Sequence, residues 1–216
     1  MREGSSPKTF AHISLNIQSL NLMILIWELE MRTWIGNSLP WFVPLALIMG
    51  SSMAHAQGFE ISSASYQDGG IISKRQAGIS AECGAGNALT PQVAWHNAPA
   101  NTASIAILMQ DPDGQKGLGV SHWVAYNIDA QRGSIGEGDG QHSLPGITVG
   151  KNISGEQAYR GLCPPASDHP HHYTLTVIAT TLAPGDLPPS LSREELLAKL
   201  QGKTLAAQSI VGRYGQ

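Results

Sequence analysis

Charged and aromatic side chains are scarce in this chain, at 13% and 6% of its residues, and several familiar functional signatures are missing altogether. The acidic excess is slight, 16 Asp and Glu against 13 Lys and Arg. With no basic patch, neither nucleic acid nor an anionic membrane has electrostatic support as a partner. Only two cysteines occur, Cys83 and Cys163. Neither belongs to a C-x-x-C pair, which argues against thiol redox catalysis and a cysteine-based zinc knuckle. A G-x-S-x-G elbow is absent, which argues against a serine hydrolase of that type. So is H-E-x-x-H, the helical zinc signature. No internal repeat or low-complexity tract interrupts the chain.

Glycine and proline are plentiful, with 24 and 13 residues. Such a composition favours short strands joined by many turns over long helices. The N-terminal part reads differently. Met31-Arg32 opens a stretch with an apolar core around Leu39 to Met49, closing on Ala54-His55-Ala56. A basic start, a short apolar core and small residues two apart are the marks of a secretory signal, with cleavage expected before Gln57. That core is too short to span a bilayer and carries Pro40 and Pro44. A retained membrane anchor is the alternative. Residues 1–30 read as an extension preceding Met31 as the natural start. The remainder, 57–216, is one domain's length, and export would place it in the periplasm or outside the cell. There, two cysteines read as a disulfide, the alternative being two buried free thiols.

Within the domain, Asp68-Gly69-Gly70 marks a turn, and Val93-Ala94-Trp95 a short strand. Thr102 to Gln110 is an almost unbroken apolar run, the pattern of a strand buried on both faces. It should end at Pro112, which cannot donate to a ladder. His122 to Ile128 reads as another strand, Arg132 to Gly155 as irregular loop, and Tyr173 to Thr181 as the clearest strand of all. Ser192 to Glu195 is a capping box opening a helix through Leu196, Leu197 and Leu200. A second short helix is expected over Thr204 to Val211.

Three separated stretches carry hydrogen-bonding chemistry at strand ends: Asp111-Pro112-Asp113, Ser121-His122-Trp123, and Gly161-Leu162-Cys163-Pro164-Pro165 running on to His171-His172-Tyr173. Alternation along a strand groups His122 with Val124 and Tyr126 and sends Ser121 and Trp123 to the other face. Ser121 and His122 are thereby separated as a nucleophile–base pair. Taken alone, His122 reads as a core histidine held by a carbonyl, and Asp111 as a turn cap. Asp113, followed by glycine, reads as structural. Asp111 could also fix an imidazole or receive a ligand hydrogen bond. His171 and Tyr173 share a face, whereas His172 points away. His169, His171 and His172 do not form a convergent zinc set at this spacing. Pro164 and Pro165 make a rigid loop, pre-set to hold a ligand at low entropic cost, and Gly161 permits close approach to its backbone.

These stretches in this order, D-P-D, then H-W opening a strand, then G-x-C-P-P leading to H-x-Y, resemble the phosphatidylethanolamine-binding protein family, in particular its bacterial Raf-kinase-inhibitor-like branch. The resemblance runs from about Phe59 to Tyr214. It implies a mostly β fold, a Greek-key type β-sandwich with short C-terminal helices, and a small surface pocket for phosphate-like or other anionic head groups. Carried over residue by residue, Asp111 and His122 match the pocket acid and histidine. Gly161, Cys163, Pro164 and Pro165 match the pocket loop, and His171 and Tyr173 its histidine and tyrosine. The implied role is binding without catalysis, metal or cofactor. An alternative is a protein-interaction module inhibiting an enzyme or kinase; a metal-dependent or hydrolytic enzyme is a further one. The chain departs from the family pattern at Gly114, at Leu162 where proline is usual, and at His172 where arginine is usual.

Overall fold

The computed structural model describes residues 58–216. The expected extension and signal segment therefore lie outside the described residues. Eight strands form two antiparallel sheets. β1 (Glu60–Ser62), β2 (Val93–His96) and β5 (Ser134–Ile135) make a small sheet in the order β1-β2-β5. β3 (Ser104–Asp111), β4 (Val120–Asp129), β6 (Thr148–Val149), β7 (His171–Thr180) and β8 (Thr204–Tyr214) make the larger one, in the order β6-β4-β3-β7-β8.

β3 lies at the centre of the larger sheet, which is why its sequence is apolar without alternation. Ile105, Ile107 and Met109 point into a core shared with Val93 and Trp95 of the small sheet. Ala106 and Leu108 face the other way, toward Leu187, Leu191, Leu196 and Leu200. The last two belong to α1 (Arg193–Leu200), the one helix longer than a single turn among the described residues. Its capping box is complete: the Ser192 hydroxyl accepts from the Glu195 N–H, and the Glu195 carboxylate accepts from the Ser192 N–H. Caps of this kind are worth about 1 kcal/mol.

Two expected segments differ. Arg132 to Gly155, expected as irregular loop, carries the two-residue strands β5 and β6, which pair with β2 and β4. Thr204 to Val211 is not a helix but the body of β8, which pairs with β7 from Tyr214 opposite His171 to Thr204 opposite Thr180. The run Leu205-Ala206-Ala207-Gln208 suits a helix locally, and its exposed edge position leaves little alternation to betray a strand. Cross-strand pairing with β7 overrides local propensity.

Two irregularities in β4 determine what reaches the end of the sheet. The register against β3 slips between the Met109–Trp123 and Gln110–Ser121 pairs, leaving His122 as the extra residue of a bulge. A second slip lies between the pairs of Ile105 and Ile107. Asn127 sits there with φ of 58°, a conformation asparagine tolerates well. Its side chain donates to the Leu187 carbonyl and accepts from the Leu187 N–H.

Candidate functional site

The bulge at His122 corrects the simple parity argument. Trp123 and Ala125 point into the core between the sheets, and Val124 and Tyr126 point toward α1. Unbroken alternation would put His122 with Val124 and Tyr126. The extra residue turns it instead to the side of Trp123, where its ring meets Tyr173 edge-on at 5.4 Å between centroids. Ser121 goes to the α1 side, its hydroxyl accepting from Gln110 Nε2 at 3.0 Å. Ser121 and His122 still face apart, but with the faces exchanged. Bulges re-aim side chains in this way at sheet ends.

Asp111, the last residue of β3, organises the site. Its Oδ1 accepts from the N–H groups of Asp113 and Gly114, both at 2.9 Å. Its Oδ2 accepts from His171 Nδ1 at 2.8 Å and lies 3.9 Å from His122 Nε2. The turn cap and the imidazole partner are thus one carboxylate using its two oxygens. Its firm imidazole partner is His171. His122 is oriented by the Arg160 carbonyl, which accepts from Nδ1 at 2.8 Å. A carbonyl can only accept, so the Nδ1 proton is fixed and Nε2 is left facing Asp111.

Electrostatics follow from these contacts. Burial by itself would raise the Asp111 pKa, but the His122 and His171 rings, the charge of His171 and the Gly114 N–H together hold it below the usual carboxylate value. Burial likewise disfavours charged His171. Asp111, through hydrogen bond and charge, outweighs that with help from Asp168 and raises its pKa. The Tyr173 hydroxyl is driven well above its ordinary pKa, first by burial and then by the nearby Asp111 charge. Tyr173 is fully buried, and its hydroxyl has no hydrogen-bond partner among the described residues.

A recess of about 260 Å³ opens above this cluster, and its lining includes Asp111, Gly114, His122, Arg160, Cys163, Pro165 and His171. Tyr173 lies beneath it, against the His122 ring. Gly161 and Pro164 do not line it. A Cβ on Gly161 would stand 2.6 Å from the Gly78 backbone, so glycine there lets two loops touch, with the Gly78 N–H donating to the Leu162 carbonyl at 2.9 Å. Pro164 is buried and its carbonyl accepts from Gln216 Nε2 at 2.6 Å. Cys163 is bonded to Cys83, 80 positions away, so the wall of the recess is tied to the 81–83 turn. Asp113 is structural, accepting from the His172 N–H and ring at 2.7 and 2.9 Å. Among the described residues no group of three or more His, Cys, Asp or Glu is placed to hold a metal ion.

Sequence reasoning passed over five lining residues, Gly114, Gln115, Val120, Ile153 and Arg160. Arg160 stands immediately before the G-x-C-P-P loop, and that position was the available signal. Gly114 shows its role only in three dimensions, since a Cβ there would lie 2.6 Å from Val120 Cγ2 and 3.1 Å from Asp111 Oδ2.

The family model described as phosphatidylethanolamine-binding protein matches residues 62–215. The chain belongs to this family. Within the phosphatidylethanolamine-binding proteins, it is similar to a UPF0098 protein of Aquifex aeolicus (strain VF5), 35% identical over 130 residues, which cover 60% of this chain and 75% of that one. UPF0098 protein YbcL of Escherichia coli (strain K12) is 32% identical over 130 residues, 58% of this chain and 70% of that one. A Mycobacterium tuberculosis (strain ATCC 25618 / H37Rv) protein named "Putative lipoprotein LppC" is 33% identical over 155 residues, 68% and 70% of the two chains. The crystal structure of E. coli YbcL, described as a new member of the mammalian PEBP family, matches this fold with a TM-score of 0.68 and 26% identity, over 74% of this chain and 99% of that one. The two antiparallel sheets, with little helix, agree with the mostly β fold that the family resemblance implies.

Proposed function

We propose that the chain is an exported binding protein that holds a small anionic group, phosphate or a phospholipid head group, in the recess above Asp111. The observation that carries this reading is the charge of the lining. Asp111 is paired with His171, whose imidazolium form is favoured, and Arg160 adds a further positive charge. An anion entering the recess would meet the Arg160 charge and the edge of the His171 ring, whose Nδ1 faces Asp111 and whose Nε2 faces Asp168 at 3.5 Å, with fixed geometry supplied by the tethered His122 ring.

Binding without chemistry is favoured by what the lining contains. Its one sulfur is locked in the disulfide, and the nearest serine on β4, Ser121, faces the α1 side. Asp111 is occupied on both oxygens. Export is supported by the Ala54-His55-Ala56 motif and by the disulfide, which persists in oxidising compartments. The likeness to a protein named a lipoprotein points the same way. No helix among the described residues is long and apolar enough to cross a membrane.

Isothermal titration with inorganic phosphate and O-phosphoethanolamine tests the proposal. Saturable binding, weakened tenfold or more in a His122→Ala/His171→Ala double variant that remains folded, is expected. Equal binding by the two proteins would remove the recess from consideration.

A further inference from the structure

The disulfide in the wall of the recess joins two sulfurs in different settings. Cys163 is exposed and lines the recess with His122, Arg160 and His171, whereas Cys83 does not line it. Cys83 is half-buried against Gly78, where a Cβ would stand 2.9 Å from both Cβ and Sγ of the cysteine. The Ser80 hydroxyl donates to Cys83 Sγ at 3.2 Å.

These differences give the bond a direction. A thiolate cleaves a disulfide by attacking one sulfur and expelling the other. The sulfur attacked is the one an incoming thiol can reach, and the other leaves faster when its developing charge is stabilised. The recess gives access to Cys163, and the Ser80 hydroxyl is placed to stabilise negative charge on Cys83. Arg160 adds a cation to the same recess. A small thiol bearing an anionic group would be held by that group beside the bridge, at raised effective concentration.

We propose that Cys163 is a site of reversible modification by small anionic thiols, guided to the bridge by the recess. The inference rests on the anion reading of the recess and adds to it a covalent occupant. The incoming thiolate sulfur bonds to Cys163 Sγ, and the Cys83–Cys163 bond breaks. Cys83 leaves as a thiolate and takes up the proton that the incoming thiol gave up. One thiol is consumed and one is formed, so no oxidant or reductant enters.

Native contacts make the step reversible. The Gly78 N–H donates to the Leu162 carbonyl at 2.9 Å, and the Tyr214 hydroxyl to the Cys83 carbonyl at 3.0 Å. Both loops are thus held when the sulfur bond opens. Cys83 stays beside Cys163, re-attacks the mixed disulfide and releases the small thiol. While attached, the thiol's anionic group fills the recess and excludes phosphate.

The test compares initial rates of exchange on the wild-type protein for mercaptopropionate and its neutral analogue mercaptopropanol, at equal thiolate concentration. Acid quenching, alkylation and peptide mass spectrometry locate the adduct. Mercaptopropionate should react roughly tenfold faster, the gain of one charge-assisted contact, with the adduct on the Cys163 peptide. Excess phosphate, against chloride at equal ionic strength, should remove that advantage, and so should a folded Arg160→Ala variant. Equal rates for the two thiols, with phosphate binding intact in calorimetry, would refute guidance by the recess and leave the anion reading standing. An adduct on the Cys83 peptide would overturn the assignment of the attacked sulfur. If calorimetry shows no phosphate binding, the anion reading falls, and this inference with it.

Discussion

Removing the Cys83–Cys163 bridge should weaken the protein through its unfolded state and leave the folded site nearly unchanged. The bridge closes a loop of 80 positions. In the chain-entropy model that loop is worth about 4.5 kcal/mol at 25 °C. For a domain of this size such a loss corresponds to a fall in Tm of roughly 10–15 °C. Native contacts oppose any local rearrangement. The Gly78 N–H donates to the Leu162 carbonyl at 2.9 Å and the Leu162 N–H to the Gln76 carbonyl at 3.1 Å. The Tyr214 hydroxyl donates to the Cys83 carbonyl at 3.0 Å. Gln216 Nε2 joins the Glu82 and Pro164 carbonyls. The two loops should therefore stay together without the sulfur bond. Urea denaturation of a Cys83→Ala/Cys163→Ala variant, beside phosphate titration at 25 °C, measures both effects. A loss below about 1 kcal/mol would refute the entropic argument. Full stability with lost phosphate binding would show instead that the bridge shapes the recess directly.

Three other perturbations have definite outcomes. Tyr173→Phe deletes a buried hydroxyl that meets no partner at hydrogen-bonding geometry and lies beneath the recess rather than in its lining, so the free protein should gain roughly 1 kcal/mol in denaturant titration with phosphate affinity unchanged; a loss of stability would mean that Asp111 satisfies the hydroxyl. Gly161→Ala forces a Cβ to 2.6 Å from the Gly78 backbone and should cost about 1–3 kcal/mol, with phosphate affinity intact in the folded fraction; an affinity loss without a stability loss would place Gly161 at the ligand instead. Finally, the Asp111–His171 pair sets a pH window. The raised His171 pKa gives stability that is complete below the ordinary histidine value and lost as pH climbs through the folded value. The lowered Asp111 pKa gives stability that is present above the ordinary carboxylate value and lost as pH falls through the folded one. Denaturant midpoints from pH 3 to 9 should peak between those limits, and His171→Gln should flatten the alkaline limb; an unchanged limb would sink the pairing.

Much of the architecture was legible because local patterns and burial agreed. β3 reads as buried on both faces and lies mid-sheet between two apolar clusters. β7 alternates cleanly, so His171 and Tyr173 on one face and His172 on the other follow from its period alone. The capping box at Ser192 needed only four residues of sequence. β8 was not legible, because Thr204 to Ser209 show no buried alternation at the sheet edge and only Ile210, Gly212 and Tyr214 alternate inward.

The site shows where sequence reasoning stops. From sequence alone came the residue types that gather at the sheet end, the two cysteines fit to bridge, and the resemblance that orders the three stretches into one family. Alternation is local and readable; a register slip is not, since it exists only between two strands. The tertiary structure alone decided that His122 leaves the face of Val124 for that of Tyr173, and that Asp111 holds His171 while Arg160 holds His122. It also placed Gly161 and Pro164 in contacts between loops, outside the lining of the recess. The physical reason is common to all of these: each depends on which backbone groups from distant segments come within hydrogen-bonding or van der Waals reach, and only the folded chain sets those distances.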